Sequence, residues 1–80
     1  MRIKIQHRKL GKEKSWGLAH LEDNLVELDS RLTGRRHLLY LLHETLHIMH
    51  PDWSETKVVQ ESRILCKILW KQRYRRVEVT

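Results

Sequence analysis

Residues 43–47 read His43-Glu44-Thr45-Leu46-His47, two histidines four positions apart with a glutamate beside the first. On a helix, side chains at i and i+4 leave from the same face, so both imidazoles can reach one zinc ion. Glu44 points to the flank of the pair, where a carboxylate can take a proton from water activated by the ion. His43 and His47 are therefore the expected metal ligands, and Glu44 the expected general base. The third ligand has four candidates: His50, Asp52, Glu55 and Glu61. His50 shares the arc of the pair, but i+7 lies about 10.5 Å along a regular helix from His43. It joins the site only if the helix distorts before Pro51. Asp52 is most economically a helix cap, with Glu55 as its capping-box partner three residues on. Glu61 sits at the edge of the second helix's apolar stripe, whereas Glu55 lies within it. A charge aimed at a partner helix needs a compensating charge, and zinc opposite His47 would supply one. Glu55 is the favoured third ligand.

The elements that must hold these residues follow from the hydrophobic pattern. From about Gly34 to His50 the period is helical, with Ser30 or Thr33 available as N-cap. Leu38, Leu39, Leu41, Leu42, Leu46, Ile48 and Met49 fill an apolar arc about half the circumference wide. Tyr40, His43, Glu44, His47 and His50 occupy the remainder. Pro51 ends this helix, since proline disfavours a helical conformation in the residue before it. A second helix is expected from Asp52 to about Arg73, with Val58, Val59, Leu65, Cys66 and Leu69 as its apolar stripe. So short a connection makes the two helices antiparallel neighbours. Upstream, Met1–Leu10 alternates basic and apolar residues, the period of a half-exposed strand. Gly11–Lys14 reads as a turn. Trp16–His20 and Leu25–Asp29 read as two strands joined through Glu22-Asp23-Asn24. The expected fold class is α+β: a small antiparallel sheet followed by a two-helix antiparallel hairpin carrying HExxH.

With these residues in place, the stretch from about Trp16 to Tyr74 resembles the zincin-like metallopeptidase fold in its smallest form. The matching features are Leu25-Val26-Glu27-Leu28-Asp29, the HETLH helix and HPDWSE opening the next helix. Leu69-Trp70 and Tyr74-Arg75-Arg76 also look like short HExxH proteins that are often phage-encoded. The resemblance implies a zinc-dependent peptidase acting on a peptide or protein substrate. It also implies that the strand before the helix lines a groove where an extended substrate adds by β-augmentation. His43 and His47 match the family's metal ligands, and Glu44 its general base. His47 is not followed by the GxxH of metzincins, so a third ligand has to come from elsewhere.

Composition bounds the remaining possibilities. Eighty residues, 40% apolar and 32% charged, with three Gly and one Pro, suit one folded domain over residues 1–80 rather than a disordered tail. No apolar run approaches the roughly 20 residues a bilayer needs, so no membrane partner is expected. Cys66 is the single cysteine and can form no internal disulfide. With no signal-peptide pattern after Met1, the expected setting is intracellular and cytoplasmic. A domain of this size without disulfides often leans on a metal or an oligomer.

The net charge of +6 is concentrated in Arg2–Lys14 and Arg63–Arg76. It supports a second reading, a small basic nucleic-acid-binding protein in which Arg63, Lys67, Lys71, Arg73, Arg75 and Arg76 contact phosphates and any zinc is structural or vestigial. Glu44 separates the two readings, because neither a structural zinc site nor a phosphate-binding face gains from an acid there. His7, His20 and His37 are expected to be exposed or locally hydrogen-bonded, with His20 placed to border the site. Tyr40 reads as packing or as an oxyanion partner. Trp53 and Trp70 are expected in the core or sealing the helical hairpin, and Cys66 as a small buried hydrophobe.

Overall fold

The computed structural model describes residues 1–77. Three strands precede two helices: β1 (Lys4–Arg8), β2 (Gly17–His20), β3 (Leu25–Asp29), α1 (Gly34–Met49) and α2 (Glu55–Lys71). The α+β order and the helical hairpin agree with the sequence expectation, but the sheet is mixed rather than antiparallel. Its order is β1-β3-β2, with β2 antiparallel and β1 parallel to β3. The cause is the path between β1 and β2. A 3-10 turn at Gly11–Glu13, closed by Lys14 in the left-handed region, carries the chain across so that β3 enters between the first two strands. The β2–β3 connection is another 3-10 turn, Leu21–Asp23, closed by Asn24 at φ 47°. Asparagine tolerates that conformation better than most residues.

β3 is central and its residues Val26 to Asp29 are buried, as a strand flanked on both edges must be. Val26 and Leu28 form the core with Leu32 and Ile48, and Ile3, Trp16, Ala19, Tyr40 and Leu41 pack around them. On the other face, Glu27 spans the sheet. It accepts from Arg8 on β1 and lies 2.7 Å from His20 Nε2 on β2, and Arg8 also reaches Glu13 at 3.0 Å. The Arg8 guanidinium holds the Glu27 carboxyl below its usual range. β1 itself is exposed throughout, a basic edge strand of a kind that resists pairing with other chains.

Asp29 closes β3. It is fully buried, and its carboxylate accepts from the backbone N–H of Leu10 and Arg31 and from two nitrogens of the Arg31 side chain, at 2.7–3.0 Å. These donors, the Arg31 guanidinium above all, hold its carboxyl well below the usual range. A depressed carboxyl stabilises the fold above its unfolded pKa, and that contribution is lost as pH falls. Asp29→Asn should therefore lower the Tm at neutral pH, and the gap from the parent protein should narrow below about pH 4. Thermal melts of both proteins across pH check this. A gap constant with pH would mean that the ionised carboxylate is not what holds the Leu10 and Arg31 segments.

α1 packs on α2, β2 and β3. Thr33 occupies its N-cap, though without a side-chain bond, and Gly34 follows at φ +57°, a conformation a side chain at that position would strain. His50 ends α1 with an extended φ of −133°, as a residue before proline should. The N-cap of α2 lies two residues later than the capping-box reading places it. Ser54, not Asp52, is its N-cap and accepts from the Lys57 N–H at 3.1 Å. Glu55 thus becomes the first helical residue, free of a capping duty. α2 ends at Lys71, two residues short of the expected Arg73, because Arg73 turns left-handed at φ 67°. The Tyr74 N–H then bonds Leu69 O and the Arg73 N–H bonds Trp70 O, the paired bonds of a Schellman stop. The helices run antiparallel: Glu55 meets His43 and His47, Cys66 Sγ lies 3.9 Å from Arg35 O, and Trp70 lies against Gly34.

Two expected apolar positions are exposed instead, Met49 on α1 and Leu65 on α2, each lying outside the faces the helices bury. Val58 and Cys66 are buried as expected. Trp53 stacks on His50 at 3.8 Å and Trp70 carries Arg75 over its ring, so both tryptophans sit at the ends of the hairpin rather than in the core. No helix among the described residues is long and apolar enough to cross a membrane.

Candidate metal centre

The helical period places His43 and His47 one turn apart on α1, facing the cleft that α1 forms with α2. Their Nε2 atoms are 3.2 Å apart. Two nitrogens bound to one tetrahedral zinc at about 2.05 Å would be roughly 3.3 Å apart, so the pair is already spaced as adjacent ligands. Glu55 completes the group from α2. Its Oε1 lies 3.0 Å from His43 Nε2 and its Oε2 2.8 Å from His47 Nε2. A carboxylate also suits the first turn of a helix, where unpaired N–H groups and the helix dipole favour negative charge. Two imidazoles and a carboxylate, converging with a side open to a cavity, fit the donor set of a catalytic zinc site. Burial also holds His43 below the ordinary histidine pKa against the opposing pull of Glu55, which leaves its ring neutral and able to ligate at neutral pH.

Glu44 takes a different environment. It turns toward the sheet and is only 8% exposed, and burial pushes its carboxyl up to about 7. His43, Glu44 and His47 can each bring a ligand atom within 4.8 Å of the others, so Glu44 stands beside the centre. Glu55 meets the imidazoles from α2 at 2.8–3.0 Å, so one carboxylate from each helix stands at the histidine pair, Glu44 buried and Glu55 exposed.

Of the four candidates for third ligand, the structure brings only Glu55 to the histidine pair. His50 is stacked on Trp53, α1 keeps its regular course to Met49, and the exposed Asp52 lies in the turn. Glu61 lies half-buried on α2 and lines no part of the cavity at the centre. His20 is held by Glu27 on the outer face of the sheet. His37 is buried, with its Nε2 2.9 Å from His7 Nε2, a local hydrogen bond between α1 and β1. Tyr40 packs against the core, as the packing reading expects, and it also lines the cavity at the centre.

Gly17 was not apparent as a site residue. A Cβ built there would lie 2.9 Å from Glu44 Cγ and 3.1 Å from Oε2, so the strand approaches the buried Glu44 carboxylate as only glycine allows. The available signal was a glycine inside a strand, which often marks such an approach. Gly17→Ala should displace Glu44 while leaving His43, His47 and Glu55 untouched. Zinc content should be unchanged and any hydrolysis should fall by about 10- to 100-fold, the scale of an ångström-sized misplacement. Loss of zinc in Gly17→Ala would place Glu44 among the ligands.

No family model, curated protein or solved structure matches this chain. The functional reading therefore rests on the geometry of the site.

Proposed function

We propose that this protein is a minimal zinc metallopeptidase, with His43, His47 and Glu55 holding the ion and Glu44 acting as general base. The observation that carries the reading is the convergence of three donors from two helices beside a second, buried carboxylate. A structural zinc site has no use for Glu44, which is desolvated at some cost and bound to no ligand. When bound, zinc supplies a Lewis acid that polarises the scissile carbonyl and activates water. Glu44 takes the proton from that water and returns it to the departing amine, a transfer its position beside the histidine pair suits. Glu55 and the imidazoles fix where the reaction occurs, because each is anchored on a helix rather than a loop.

The resemblance implied substrate addition to the strand before the helix, and that detail is corrected. β3 is central and both its edges are taken. The open edge beside the centre belongs to β2, where Gly17, Leu18 and Ala19 line a cavity of about 280 Å³ with Glu44 and His47. An extended peptide added to β2 would lay its backbone across the histidine pair, the geometry that β-augmentation requires. The test is hydrolysis of a peptide library by zinc-loaded protein. Cleavage that stops with a chelator and returns with zinc supports the reading, and absence of cleavage by the zinc-loaded protein contradicts it.

A further inference from the structure

A cavity of about 440 Å³ opens from the metal centre between the two helices. Glu55, His43, His47 and Glu44 form one end of it. Beyond them the lining is mixed, with Leu39 and Tyr40 from α1, Val59 and Ser62 from α2 and Ser15, and Arg63 lies eight residues along α2 from Glu55. Residues 55, 59 and 63 recur every four positions on α2, so a single stripe of the helix carries an anion at the centre, an apolar step and then a cation. Arg63 is exposed and makes no ion pair among the described residues. Ser62, its neighbour, is fully buried and spends its hydroxyl on Val59 O.

Eight residues separate Glu55 from Arg63, about 12 Å along the helix. That equals three to four residues of extended chain at about 3.3 Å each, less the length of the arginine side chain. The guanidinium therefore comes within reach of a group one or two residues from the reacting bond. We propose that this cavity selects a substrate group bearing a carboxylate, with Arg63 as its counter-charge; the proposal rests on the metallopeptidase reading above. A guanidinium offers paired N–H donors in the fork geometry that a carboxylate accepts, which makes Arg63 a directional counter-charge at the edge of the cavity. The carboxylate has two sources, the C-terminus of a short peptide or an Asp or Glu side chain beside the scissile bond.

The experiment measures peptide binding to zinc-loaded Glu44→Gln protein and kcat/KM in the parent protein, each with and without Arg63 substitutions. Two peptide pairs are used, one differing in a free acid against an amide at the C-terminus, the other in Glu against Gln beside the cleavage position. The expected result is about a tenfold preference for the charged member of one pair, lost in Arg63→Ala and largely kept in Arg63→Lys. Arg63→Glu should turn the preference toward a lysine-bearing peptide. All three variants should keep their zinc, since Arg63 is no ligand. The pair that shows the preference names the source of the carboxylate. Equal binding of charged and neutral peptides, or a preference that survives Arg63→Ala, overturns the proposal. Chelator-sensitive cleavage that is indifferent to charge would remove this inference alone. An Arg63-dependent preference without any cleavage would remove the peptidase reading and leave the carboxylate site standing.

Discussion

Glu44→Gln should leave one zinc per chain in place and lower hydrolysis by on the order of 10²- to 10⁴-fold, the usual contribution of a positioned acid–base group. The amide has nearly the volume of the carboxylate and keeps its packing against Gly17, where the strand leaves room for no larger group. It cannot accept the proton, so the chemical step fails while the ligands remain. Metal analysis beside a peptidase assay reads the two effects separately. If Glu44→Gln loses zinc, Glu44 is a ligand and the division of labour between the two glutamates is wrong. Unchanged hydrolysis would be equally damaging, because the other acid at the histidine pair, Glu55, is assigned to the ion.

The second large effect concerns affinity. His47→Ala or His43→Ala should weaken zinc binding by more than 100-fold, since groups that merely orient ligands already contribute 10- to 100-fold. Glu55→Gln should also weaken it strongly, because an amide is a poor replacement for an anion facing a dication. α2 should fold normally in that variant, for Ser54 and not Glu55 caps it. His50→Ala should leave affinity unchanged, because its ring is occupied with Trp53. Competition titration with a zinc-sensitive dye ranks the four proteins. Normal binding by Glu55→Gln together with failure of His50→Ala would mean a site of three histidines and a distorted end of α1.

The histidine pair and both helices were legible in the sequence because they rest on local periodicity, which needs no knowledge of distant partners. Glu55 was legible as well, from the antiparallel pairing that a short link through Pro51 imposes. Its competing role as a cap was not separable, since Asp52 and Ser54 are both good caps and only the observed turn decides between them. The sheet was half legible. The β2–β3 hairpin is local, whereas the parallel pairing of β1 with β3 joins residues about twenty positions apart and leaves no mark on β1's own pattern. For the same reason Glu27 could not be assigned to Arg8 and His20. Gly17 and Arg63 carry no periodic signal that separates them from any strand glycine or surface arginine, and their importance lies in what the fold sets opposite them.

The central claim is that His43, His47 and Glu55 hold a zinc ion, and metal analysis of protein purified without chelators tests it most directly. The account predicts about one zinc per chain, with a Tm that falls on chelation and recovers when zinc returns. Protein that carries no zinc or comparable divalent metal, and whose Tm is indifferent to added zinc, would contradict it.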